Sequence, residues 1–136
     1  MTSSRPRVLA RGIAALAFAI IFATFTIATP FFGQGQDIIA PAVACGVAAV
    51  ALAGLAMSAF ALYDGAGRNA RTPFRIAHVG VFAIPVAGLV TGAVVAAVNG
   101  DAAILGVAAW STAIAWLVHL FLIRGQARDL RSTATQ

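Results

Sequence analysis

The chain has 136 residues, of which 61% are hydrophobic and 10% charged, and its mean hydropathy is +0.94. A water-soluble domain carries roughly 25% charged residues, so composition points away from a soluble enzyme or a soluble binding module. The net charge of +5 comes with no basic helix or aromatic-basic surface, which argues against nucleic-acid binding and for topology determinants beside anionic headgroups.

All nine basic residues are arginines, and they fall in three clusters. Arg5, Arg7 and Arg11 come first, and the apolar stretch behind them predicts a spanning helix over residues 12–32. A bilayer core of about 30 Å needs roughly 20 apolar residues at about 1.5 Å each. A basic start followed by Ala-rich sequence also resembles a secretory leader. The apolar run here is longer than the usual 7–15 or so residues of a leader, and Pro30 occupies the cleavage region, so a retained helix is expected. Gly33, Gly35 and Asp37 then break the run, and a second span is predicted over 38–63. It holds Cys45, the one cysteine, which reads as a small buried hydrophobe because no internal disulfide can form.

The middle cluster, Arg68, Arg71 and Arg75, lies in a polar stretch at 64–73 that reads as a connector. It has two glycines and a basic residue but lacks the ending a phosphate-cradling loop needs. A third span follows at 76–98, interrupted by Pro85, which leaves the Val81 carbonyl without its usual donor. Asn99, Gly100 and Asp101 form a predicted tight turn, with Asp101 capping a fourth span at 102–123. Asp37 is assigned the same capping role at the second helix. Arg124, Arg128 and Arg131 close the chain's apolar part.

An arginine at the bilayer centre costs about 2.5–3.5 kcal/mol on insertion scales, so the clusters mark where the chain leaves the membrane. An even number of crossings separates each cluster from the next. Arg11, Arg68, Arg71, Arg75, Arg124 and Arg128 therefore share one side, which the positive-inside rule makes cytoplasmic. The expected class is an all-α membrane protein: four transmembrane helices in a single antiparallel bundle, in the plasma (inner) membrane, with both termini inside.

Small residues recur at helical spacing and predict where helices approach closely. They are Ala42, Gly46, Ala49 and Ala53 in the second span, and Gly88, Gly92 and Ala96 in the third. In the fourth, Ala108, Thr112 and Ala115 share a face with His119. Phe31, Phe32, Tyr63 and Phe74 fit an aromatic belt at the interfaces, whereas Trp110 and Trp116 lie deeper and call for polar partners. A weak offset of 60 aligns residues 46–49 with 106–109, but the first and third spans align poorly.

Chemistry-bearing residues are few. No carboxylate lies well inside a span, and HExxH, CxxC, Gly-x-Ser-x-Gly and dinucleotide patterns are missing. Small multidrug exporters need an acidic residue within a helix, so that comparison fails. His78 and His119 sit at similar depth on consecutive spans, and two imidazoles so placed are a candidate haem or quinone site, as in respiratory membrane anchors. The two stripes disagree, however: His119 continues a small-residue face, while His78 shares its stripe with Phe82, Pro85 and Leu89. No cofactor and no metal is therefore expected.

The Gln36-Asp37-Ile38-Ile39-Ala40-Pro41 start of the second span, with Arg124-Gly125 closing the fourth, resembles small actinobacterial four-helix integral membrane proteins of unknown function. That resemblance implies a fold and no activity. The leading expectation is a non-enzymatic accessory or stabilising component of a membrane assembly, whose partners are the lipid bilayer and a membrane protein or its own copies. A haem- or quinone-binding anchor subunit and a small channel or transporter are the rival readings.

Overall fold

In the computed structural model, which describes residues 5–32 and 35–134, four helices account for nearly every residue. They are α1 (Arg5–Phe32), α2 (Ile39–Tyr63), α3 (Gly67–Asn99) and α4 (Ala102–Ala134), with a short 3-10 turn at Gln36–Ile38 ahead of α2. Each of the four is long and apolar enough to cross a membrane.

The helices extend beyond the predicted spans at the arginine clusters. Arg5 to Arg11 belong to α1, Arg68 to Arg75 to α3, and Arg124 to Arg131 to α4. The stretch at 64–73 is thus no connector, since only Asp64, Gly65 and Ala66 separate α2 from α3. Arginine ends a membrane crossing because of its charge, yet it is a good helix former, so the backbone carries on into the polar zone. At 33 residues, α3 and α4 are each about 50 Å long, well beyond a core of about 30 Å.

Two glycines end helices by the same device. At the end of α2, Gly65 takes a left-handed φ of 84°, the Ala66 amide donates to the Ala61 carbonyl at 2.9 Å, and that of Gly65 to Leu62 at 3.1 Å. At the end of α3, Gly100 has φ 62°, with Asp101 donating to Ala96 at 3.1 Å and Gly100 to Ala97 at 3.4 Å. This pair of backward bonds satisfies carbonyls that would otherwise be orphaned. The Asp101 carboxylate then accepts from the Ala103 amide at 3.0 Å, capping α4 as expected. Asp37 does not cap α2. It lies inside the 3-10 turn, and the residue before α2 is Ile38, which has no side-chain cap.

Burial makes α2 the central helix: 56% of its most apolar stretch is buried, against 22%, 22% and 28% for α1, α3 and α4. What is buried is small. Ala15, Ala19, Ala48, Ala51, Ala56, Ala77 and Ala115 supply most of the interior, with Leu52, Leu55, Ile84, Leu122 and Ile123 as large members. What is exposed is large, including Ile20, Ile21 and Phe25 on α1 and Val79, Phe82 and Val86 on α3. Small residues inside and bulky aliphatics outside suit association in lipid, where close backbone approach rather than the hydrophobic effect holds helices together. Cys45 is buried and free. Across the offset of 60, Ala48 and Ala108 are both buried, but Gly46 meets Thr26 of α1 whereas Gly106 is exposed.

Candidate functional site

Position 108 and its helical neighbours at 112, 115, 119, 122 and 126 place one face of α4 against α2 and α3. All six residues on it are buried: Ala108, Thr112, Ala115, His119, Leu122 and Gln126. Three of them are polar, an unusual concentration for an interior made mostly of alanine. The face of α3 opposite is made of glycine. A Cβ on Gly88 would collide with Thr112, one on Gly92 with the Ala108 side chain, and one on Gly80 with Ala51 and with His119 Nε2, 3.1 Å away. The glycines let α3 and α4 approach until these polar groups are sealed from the surroundings. Gly46 works in the same way on α2, where Thr26 of α1 packs over it and donates to the Ala42 carbonyl at 2.9 Å.

The polar groups on this side of α4 hold it to its neighbours. Trp116 Nε1 donates to the Val81 carbonyl at 2.9 Å, the oxygen that Pro85 deprives of its helical donor. An indole from one helix thus repairs the defect a proline makes in the next. His119 Nε2 lies 2.7 Å from the Ala77 carbonyl one turn along. A carbonyl only accepts, so the imidazole hydrogen sits on Nε2. Gln126 Nε2 donates to Ser58 Oγ at 3.1 Å, and Ser58 donates onward to the Ala70 carbonyl at 2.7 Å. That relay joins α4, α2 and α3 through two fully buried side chains. Thr112 Oγ1, His119 Nδ1 and Gln126 Oε1 have no hydrogen-bond partner among the described residues.

The two histidines do not line a common cavity. His119 is wholly buried. His78 is exposed on the outer side of α3, where its ring stacks on Phe74 at 6.2 Å and meets Phe82 edge-on at 6.3 Å. It borders a shallow groove between α3 and α4 together with Leu120, Ile123 and Arg131. Among the described residues, no group of three His, Cys, Asp or Glu side chains is placed to hold a metal ion.

Two arginines of α1 make contacts to other helices. Arg11 of α1 is ion-paired with Asp129 of α4, and the two side chains are 23% and 17% exposed. The Arg11 guanidinium lies over Gly125, where a Cβ would make it shift. Arg5 lies 4.7 Å over the Tyr63 ring, tying the start of α1 to the end of α2. Arg68, Arg71, Arg75, Arg124 and Arg128 are exposed. Trp110 is 75% exposed, unlike Trp116, and stands clear of the other helices. Reading the sequence missed Ser58, Gln126 and Asp129. A serine in an apolar run and an amide followed by an acid just past one were the only signals available.

No protein-family model matches the chain, and neither a curated protein nor a solved structure shows significant similarity to it.

Proposed function

We propose that this chain is a small multi-pass protein of the plasma (inner) membrane, an antiparallel four-helix bundle with both termini cytoplasmic. In this reading it has no enzymatic activity of its own and acts as an accessory or stabilising component of a membrane assembly, built with a partner membrane protein or with further copies of itself. Three contacts support the antiparallel arrangement. Arg5 of α1 reaches Tyr63 at the end of α2, Ser58 of α2 bonds Ala70 near the start of α3, and Arg11 of α1 pairs with Asp129 near the end of α4. Nine arginines gathered at one end would set that end inside.

The observation that carries the accessory role is Trp110. The buried polar groups of α4 bind helix to helix, while this large amphipathic ring points outward with Val107 and Ile114 on either side of it. An indole N–H deep in an apolar span wants a polar acceptor, which a neighbouring protein supplies and lipid tails do not. The test is affinity purification in mild detergent, reading the visible spectrum and every co-purifying protein. A stoichiometric partner or a defined homo-oligomer, weakened by Trp110→Ala, supports the reading. A monodisperse monomer indifferent to Trp110→Ala, or one carrying a haem spectrum, overturns it.

A further inference from the structure

Between α1 and α4, a groove runs along the arginine ends of the two helices. Its floor and walls are Leu117, Leu120, Phe121 and Gly125, and its rim carries Arg11, Arg124 and Arg128. Residues 117, 121, 124 and 128 follow at helical spacing, so α4 presents an apolar track that ends in two guanidinium groups. Arg124 and Arg128 are exposed, as is Phe121 at 79%. Arg11 lies in the bare space over Gly125 and is neutralised by Asp129, so the groove's net charge is positive.

We propose that this groove binds an anionic glycerophospholipid, with the headgroup phosphate between Arg124 and Arg128 and an acyl chain along Leu117, Leu120 and Phe121. Charge and shape argue together. Basic pockets between helices suit anionic headgroups, and paired guanidinium forks suit phosphate oxygens. A free phosphate would leave the apolar track bare, and a zwitterionic lipid would leave the positive charge uncompensated. The arginine cluster of α3 offers no such combination in the grooves described: Arg68, Arg71 and Arg75 line none of them. The proposal rests on the four-span reading but not on which side the arginines face.

The experiment is native mass spectrometry of the full chain in mild detergent, titrated with phosphatidylglycerol or with phosphatidylcholine of the same tails. Wild type should retain phosphatidylglycerol preferentially, and inorganic phosphate should not displace it. At about 1 kcal/mol per basic residue, Arg124→Gln with Arg128→Gln should weaken retention about 30-fold. Arg68→Gln with Arg71→Gln, which removes the same charge from α3, should leave it within about twofold. Leu117→Trp fills the track with all arginines in place and should also reduce retention. Size-exclusion behaviour reports whether each variant is folded. Equal retention of the two lipids by wild type, or equal losses in the two double variants, would overturn the proposal. So would full retention in Leu117→Trp. None of these outcomes bears on whether a protein partner exists.

Discussion

Replacing Trp116 with phenylalanine removes one hydrogen-bond donor and keeps an aromatic ring of related shape. The loss falls on the Val81 carbonyl, which has no helical donor because residue 85 is proline. A buried acceptor left unpaired costs about 1–3 kcal/mol in soluble proteins. Interhelical hydrogen bonds within membranes average about 0.6 kcal/mol, with an upper value near 1.7. The expected cost of Trp116→Phe is therefore about 1–2 kcal/mol, part of it from lost contact area. Pro85→Ala supplies the missing N–H, since residue 85 stands four positions after Val81 in a continuous helix. In that background the carbonyl keeps a partner when the indole is gone, and Trp116→Phe should cost only a few tenths of a kcal/mol beyond the packing loss. The cycle cancels the packing loss and isolates a coupling of about 1 kcal/mol. Equilibrium unfolding by SDS in mixed micelles, followed by far-ultraviolet circular dichroism, gives all four corners. If Trp116→Phe costs the same with and without Pro85, the indole is not repairing the proline and the reasoning fails.

Other substitutions test the remaining contacts. Gly92→Leu puts bulk against Ala108 and Ala40 and should cost at least about 1–3 kcal/mol, while Val95→Leu, at a half-buried position, should be tolerated; size-exclusion recovery after heating compares them, and equal tolerance would contradict the α3–α4 contact. Ser58→Ala strands the buried Gln126 amide and should cost about 1–2 kcal/mol. Adding Gln126→Leu should recover most of that in the same SDS titration, and a further loss instead would show that the relay is not what holds the three helices there. His119→Ala should lose on the order of 1 kcal/mol and His78→Ala, exposed on α3, almost nothing. Neither variant is expected to change a visible spectrum, because wild type should show no Soret band; a stoichiometric haem signal abolished by either change would restore the redox reading.

The existence and order of the helices were legible because each span is a continuous apolar run bounded by arginines or by Gly–Asp punctuation. Their length was not. The arginines mark the end of each apolar run, but α3 and α4 continue past it as polar helix, so residues 67–75 and 124–134 look like loops only to a hydropathy argument. The Pro85 defect and the need of Trp116 for a partner were each visible in the sequence. That one answers the other depends on the register of α3 against α4, which glycines 80, 88 and 92 set in three dimensions. Ser58 and Gln126 are 68 positions apart, and neither is conspicuous in its own segment. Arg11 read as a topology charge because its partner, Asp129, lies beyond the last apolar span. The depth of His78 and His119 followed from counting residues, but facing follows from rotation, and the Phe74, His78, Phe82 stripe turns outward.

The most direct test of the account is the sidedness of its links. Ala70 is unsuitable as a reporter because it is wholly buried beneath Ser58, so protection there would say nothing about the membrane. Gln36, Asn69 and Asn99 are exposed and suit single-cysteine substitution in a Cys45→Ala background, with an impermeant thiol reagent applied to intact cells. The four-span arrangement predicts labelling of Gln36→Cys and Asn99→Cys from outside, and labelling of Asn69→Cys only after the cells are opened. Labelling of Asn69→Cys in intact cells, or protection of either of the other two, would contradict it.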